Sequence, residues 1–493
     1  MTMKDVTFRF NQCSRGSQLS DANQLRNVSF VGNRMSGSGR RQGLITIPSG
    51  SKTTIRGLLA DDNNGTVIRV NGGRLDVRDS FFMRNTGNYN GSIVASKSNV
   101  SFSTSIFDSN SYEERGGAVH LSGQSNGNFV SVIFRDNRAW LGGAVYVINP
   151  RVLQITSCLF ERNKASRRRP NGEFYGEGGA LSIQGGKGSR EAVAEISDSI
   201  VRQNSAVDYG GGILVYDWVS GSLTLRTSLF AENRVGTRRW WGYGGGMSIV
   251  RARRFNLSIL ESDFESNKAE FGGAVYGCEL SGNFSFRAIN FTKNEADFDG
   301  GAMFLNNEFY SRNNVDVKIR GCHFLRNKGS KGGAIRFLGS GDTGLTRDYS
   351  AEIMTSNCKF FRNKAEACGA IDMTAATDFK MRHCEFRRNE ADQQGGALCL
   401  KDVRRYSWSS HDVQMQNSIF VLNKAELGGG LHSSDSSIIS KECFFERNEA
   451  TIGGAICHSS SVATQSSVLK SSTLFGNRAR IGGKSHNQES LTC

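Results

Sequence analysis

Phe445 to Ile456 reads FERNEATIGGAI, and the same words return as FESNKAEFGGAV from Phe264 to Val275, FRDNRAWLGGAV from Phe134 to Val145 and FVLNKAELGGGL from Phe420 to Leu431. A unit this short cannot bury its apolar face alone, so self-similarity at a fixed period predicts stacked units, a solenoid. The Asn of each word measures the period: it falls at 110, 137, 163, 204, 233, 267, 294, 327, 363, 389, 423, 448 and 477. The shortest intervals, Asn423 to Asn448, Asn363 to Asn389 and Asn110 to Asn137, are 25, 26 and 27 residues. Helical repeats need about 33 residues or more. Here the chain has 58 glycines and period-two apolar runs such as Ala144-Val145-Tyr146-Val147, which favour strands. A unit of three short strands and tight corners is the coil of a parallel β-helix.

The paired words FxxN and GGA followed by Ile, Leu or Val resemble the repeat of the polymorphic outer membrane proteins, the chlamydial surface autotransporters. The resemblance runs from about Phe107 to Gly483, with weaker versions at Phe8 to Asn11, Phe30 to Asn33 and Phe82 to Asn85. It implies an all-β fold, a single right-handed parallel β-helix, and a place at a cell surface or outside the cell, the outer membrane if bacterial. The handedness also follows the general rule for parallel crossovers. About sixteen coils rising roughly 4.8 Å each would give a body on the order of 75 Å long. Residues 1–104 are expected to form irregular coils and 105–493 the regular repeat of the same solenoid. The chain starts and stops inside repeats, which suggests a fragment lacking its caps, with strand edges that invite end-to-end self-association.

Each word has an expected mechanical role. Phe107, Phe134, Phe160, Phe230, Phe264, Phe291, Phe324, Phe360, Phe386, Phe420 and Phe445 are expected to point inward as one aromatic column. The Asn three residues later is expected at a corner, in left-handed geometry, with its amide bonded to the amide of the next coil. The Gly-Gly pair marks a second corner that needs positive φ or close backbone approach. Cys158, Cys322, Cys358, Cys384 and Cys443 stand two residues before the anchor Phe, where Ser105, Ser228, Ser262 and Ser418 stand elsewhere. That interchange predicts stacked buried thiols, and no CxxC or other metal-ligand spacing occurs among the 11 cysteines. Asp61-Asp62-Asn63-Asn64-Gly65 reads as a turn rather than a paired-carboxylate calcium or catalytic site. No cofactor and no metal is expected.

The formal charge of +15 makes polyanions the expected partners. The residue after the ladder Asn is basic at Arg138, Lys164, Arg234, Lys268, Lys328, Lys364, Lys424 and Arg478, against Glu295, Glu390 and Glu449. Stacked like charges repel, so such a row is either relieved by neighbouring Glu or kept for an anionic partner. Where the period lengthens, the insertions are basic and aromatic: Arg167, Arg168 and Arg169; Arg238, Arg239, Trp240 and Trp241 with Tyr243; Arg251, Arg253, Arg254 and Phe255; Arg404, Arg405 and Tyr406 with Trp408. Aromatic faces stack on sugar rings while guanidinium forks hold sulphate, carboxylate or phosphate. No nucleic-acid module is recognisable. Sequons stand at Asn27, Asn64, Asn90, Asn99, Asn256, Asn283 and Asn290, relevant if the protein is secreted by a eukaryote. No apolar run approaches a membrane span, and Met1 to Phe10 lacks the apolar core of a signal peptide.

The second residue after the Ala of GGA is expected to face outward: His120, Tyr146, Ser182, Val215, Ile249, Tyr276, Phe304, Arg336, Asp372, Cys399, His432 and Cys457. If the protein is an enzyme, Arg336 and Asp372, one coil apart, are the catalytic candidates, as exposed strand residues are in pectate-lyase-like helices; a cross-coil ion pair is the alternative. No GHG word of polygalacturonases occurs. The reading favoured by the residues is a non-enzymatic surface or extracellular repeat protein, adhesive toward anionic polysaccharide or a cell surface. The alternatives are a carbohydrate-active lyase, glycosidase or epimerase acting on a uronic-acid polymer, and a purely structural rod.

Overall fold

The computed structural model describes residues 2–13, 19–20, 23–35, 43–168, 174–186, 192–236, 241–307, 314–339, 351–375, 378–403, 413–459 and 467–481. Among them there is no α-helix, and the chain divides into two compact units, Met1–Ser248 and Ile249–Cys493. Each unit is a stack of coils with three parallel sheets, as the repeat predicts. A representative coil places Asn126–Val130 in the first sheet, Ile133–Arg135 in the second, Arg138–Ala139 in a short corner ladder and Val145–Ile148 in the third. The next coil repeats it with Val152–Thr156, Leu159–Glu161, Lys164–Ala165 and Leu181–Gln184 in matching register.

The second sheet carries the anchor column. Phe134 is fully buried, stacked on Phe107 at 5.1 Å and on Phe160 at 4.7 Å. In the second unit Phe324, Phe360, Phe386, Phe420 and Phe445 stack at 4.6 to 4.8 Å with rings within 4° of parallel. The early words join in, since Phe8 stacks on Phe30 at 4.6 Å. The column is not unbroken: Ala60 replaces Phe between Phe30 and Phe82, and Val201 between Phe160 and Phe230.

The Asn of each word is interior, and this corrects the sequence expectation in one respect. Left-handed backbone belongs to the residue before it, as at Asp136 (φ 54°), Arg162 (φ 53°) and Arg362 (φ 53°), and not to the Asn itself. That residue turns the chain so that the Asn amide points into the coil. Asn137 then uses every donor and acceptor it has. Its Nδ2 donates to the Phe107 carbonyl at 2.9 Å and to Asn163 Oδ1 at 3.0 Å, while its Oδ1 accepts from the backbone N–H and Nδ2 of Asn110. The Asp61 to Gly65 stretch is the same corner, with Asp62 left-handed and Asn63 in the ladder.

The glycine pair behaves as expected for two separate reasons. The first Gly is left-handed, as Gly142 is at φ 61°. The second is crowded: a Cβ on Gly143 would lie 2.1 Å from the Gly179 carbonyl oxygen one coil away. One coil departs from the rule, because Cys368 holds the first position at φ 63° and is joined by a disulfide to Cys399 on the following coil. The slot before the anchor holds free buried thiols at Cys158, Cys322, Cys358, Cys384 and Cys443. They do what serine does there, bonding the carbonyl two residues back, Cys158 Sγ to Thr156 at 3.3 Å and Ser105 Oγ to Ser103 at 2.8 Å.

Candidate functional site

The positions expected to face solvent on the third sheet are sealed. His120, Tyr146, Ser182, Tyr276, Phe304, Arg336, Asp372, Cys399, His432 and Cys457 are each 8% exposed or less. The cause is the left-handed glycine, which turns the residue before it over the outer face of the strand it leads into. In the second unit those covering residues form a one-residue ladder, Asp299 to Lys331 to Ala367. Val215 and Ile249 do not belong to the slot: Gly212 and Gly246 take the place of the Ala, so Leu214 is the register partner of Ser182, Val215 pairs with inward Ile183, and Ser248 rather than Ile249 stands in the slot.

Arg336 and Asp372 are register partners on adjacent coils, with Nε 3.6 Å from Oδ2. That distance gives charge attraction without a hydrogen bond. The hydrogen bond goes instead to the covering residue, Arg336 Nη1 to Asp299 Oδ1 at 2.7 Å. Burial raises both carboxyls above their usual range, and the Arg336 guanidinium opposes the rise. The arrangement is a buried Asp-Arg-Asp cluster over the Phe304 ring, the ion-pair alternative of the sequence reading. It presents no open face to a polymer.

The basic row differs between the units. In the second it is interleaved with acids: Lys268 lies 3.4 Å from Glu295, Lys364 3.5 Å from Glu390 and Lys424 3.9 Å from Glu449. In the first unit the corner ladder runs Arg138, Lys164, Ser205, Arg234. All three cations are exposed, and among the described residues none has an acidic partner within ion-pair distance. Neighbouring coils lie about 4.8 Å apart, so Arg138 and Lys164 stand side by side.

Of the basic-aromatic insertions, the structure places Arg167, Trp241, Tyr243 and the stretch 251–255, in which Arg253 and Arg254 are exposed and Arg251 lies 3.7 Å from Glu279. The Arg167 guanidinium lies 5.5 Å over the Trp140 ring and 4.0 Å from Glu113, on the same corner as Arg138 and Lys164. The short strand Arg167–Arg168 pairs antiparallel with Phe174–Tyr175. Tyr243 stacks on Tyr209 at 4.9 Å, and Trp241 is 54% exposed. Phe255 corrects the reading of its insertion, because it opens the strand Phe255–Leu260 and is fully buried. The Arg168 side chain and Arg169, Arg238, Arg239, Trp240, Arg404, Arg405, Tyr406 and Trp408 lie outside the described residues. Trp140 and Tyr209 were missed by sequence reading; each stands in the short run between the ladder Asn and the glycines, where the signal was the aromatic itself.

Among the described residues no cluster of three or more His, Cys, Asp or Glu is arranged to hold a metal, and no helix is long and apolar enough to cross a membrane. No protein-family model matches the sequence, and no curated protein is similar enough to carry an assignment.

Proposed function

We propose that this chain is a non-enzymatic binding scaffold of a cell surface or the extracellular space, related to the polymorphic outer membrane protein repeats, and that it engages acidic polysaccharide. The observation that carries this is the corner of the first unit, where Arg138, Lys164 and Arg234 stand exposed, without acidic partners among the described residues, beside the Arg167–Trp140 pair. A row of like charges at coil spacing costs stability unless an anion lies along it. A sulphated or uronic polymer supplies anions in series, and an indole face supplies a platform for a sugar ring. Contacts repeated along the coils add as multivalent weak binding.

Two further observations support the reading. The Cys368–Cys399 disulfide suits an oxidising compartment such as the extracellular space. The best catalytic candidates, Arg336 and Asp372, are committed to each other and to Asp299 under a covering ladder.

A glycan array at two salt concentrations tests the proposal, comparing the intact chain with Arg138→Gln/Lys164→Gln and Trp140→Ala variants. Salt-sensitive binding to acidic glycans that the variants lose is the expected result. Absence of binding by the folded chain, or release of shortened uronate polymer, contradicts it.

A further inference from the structure

The sealed slot of the first unit holds polar groups that no other described residue satisfies. Arg69, Val94, His120 and Tyr146 are consecutive register partners on four coils of the third sheet. Over them run Asn90 and Arg115, bridged to each other and then to Leu141. His120 is 5% exposed, and neither ring nitrogen has a hydrogen-bond partner. The Arg69 Nε and the Asn90 Oδ1 are likewise buried and unbonded. The Arg115 guanidinium lies 5.5 Å over the Tyr146 ring, and among the described residues no carboxylate forms an ion pair with Arg69 or Arg115.

Buried donors without acceptors are uncommon and costly, and two unneutralised guanidinium groups flanking one imidazole make the cost electrostatic as well. The cheapest single occupant for such a set is an acceptor-only group carrying negative charge. We propose that Arg69, Arg115 and His120 form a binding site for one oxyanion: a sulphate, a phosphate, or the carboxylate of an acidic sugar. Rotation of the Asn90 amide adds an NH2 donor from the covering side, and Val94 forms the floor between Arg69 and His120.

The charged groups facing His120 set the pH dependence. Arg69 and Arg115 join burial in keeping the empty imidazole neutral. The Tyr146 ring lies 5.3 Å from it, tilted by 56°, and its hydroxyl donates to Gln184, and Glu177, the acid near Tyr146, is raised to about 7 by burial and by Asp208. An anion in the site reverses the balance at His120 and favours the imidazolium. Binding therefore takes up a proton and tightens as pH falls.

The test is titration calorimetry of the full chain with sodium sulphate and with sodium glucuronate at about pH 6 and about pH 8. It is paired with NMR of 13Cε1-labelled histidine. One saturable site per chain is expected, stronger at the lower pH, with the His120 resonance moving to that of imidazolium on saturation. Arg69→Gln and Arg115→Gln should each weaken it at least about tenfold. Arg138→Gln, on the polysaccharide corner, should leave it unchanged, so the two proposals fail separately. Binding of sulphate alone assigns the site to a free inorganic anion; binding of both admits an acidic sugar. No saturable heat, or binding that survives both arginine substitutions in variants with unchanged thermal midpoints, overturns the proposal and leaves the space to water.

Discussion

Asn137 and Asn163, one coil apart, are joined twice: the backbone N–H and the side-chain Nδ2 of Asn137 both donate to Oδ1 of Asn163, each at 3.0 Å. The bond repeats through the first unit from Asn33 to Asn233 and through the second from Asn267 to Asn477. Each Asn thus satisfies one amide above it and one below.

Replacing Asn137 by Ala strips the buried Asn110 N–H of its acceptor and the Phe107 carbonyl of a donor. Two orphaned groups at about 1–3 kcal/mol each predict a loss of roughly 2–6 kcal/mol. Urea denaturation measures it, and hydrogen exchange should rise first at Asn110 rather than evenly over the unit.

Cys368 stands where every comparable described corner has glycine, at φ 63°. With the disulfide removed by Cys399→Ala, Cys368→Gly should be more stable than Cys368→Ala by about 1 kcal/mol, because glycine bears left-handed backbone without penalty. Equal midpoints for the two variants would sink this. Reduction of the intact bridge, which closes a 31-residue separation, should cost roughly 3–4 kcal/mol on the loop-entropy estimate.

Removing Arg336 leaves Asp299 and Asp372 buried without a counter-charge. Arg336→Met is predicted to cost about 3–5 kcal/mol near neutral pH, and less as pH falls, since protonated carboxyls need no partner. Denaturation of the variant at several pH values checks both parts. A loss independent of pH would argue against the cluster.

Two buried groups of the first unit pull stability in opposite directions with pH. His120 is held at about 3 in the folded chain, chiefly by burial, against an ordinary 6.5. The unfolded chain therefore binds its proton more readily, and the stability due to neutral His120 is complete above about 6.5 and lost as pH falls toward 3. Glu177 is raised from 4.5 to about 7, so its stabilising protonated form is lost as pH rises through that window. Glu177→Gln should raise the thermal midpoint above about pH 7 and change it little below about pH 4.5. A midpoint lowered at high pH would contradict the assignment.

The fold was legible because its signals are local and repeated. Phe134, Asn137 and Gly142-Gly143 each announce a role that backbone sterics and hydrogen bonding permit few other residues to fill. The sealed slot was not legible, because alternation along Val145–Ile148 says which residues point away from the core but not that the residue before Gly142 folds back over them. The same blindness hid the Cys368–Cys399 bridge, whose partners are unrelated by the word that orders the other cysteines. Arg167 was found by its composition alone; its partner Trp140 lies a coil away, and only stacking brings them together.

The central claim rests on the corner cations, and the most direct measurement is the affinity of the intact chain for a heparin-derived oligosaccharide as a function of salt, against an Arg138→Gln/Lys164→Gln/Arg167→Gln variant. The account predicts an affinity that falls steeply with salt, and a variant bound at least about tenfold more weakly with a shallower salt dependence. A folded variant that keeps both the affinity and the salt slope of the intact chain would contradict it.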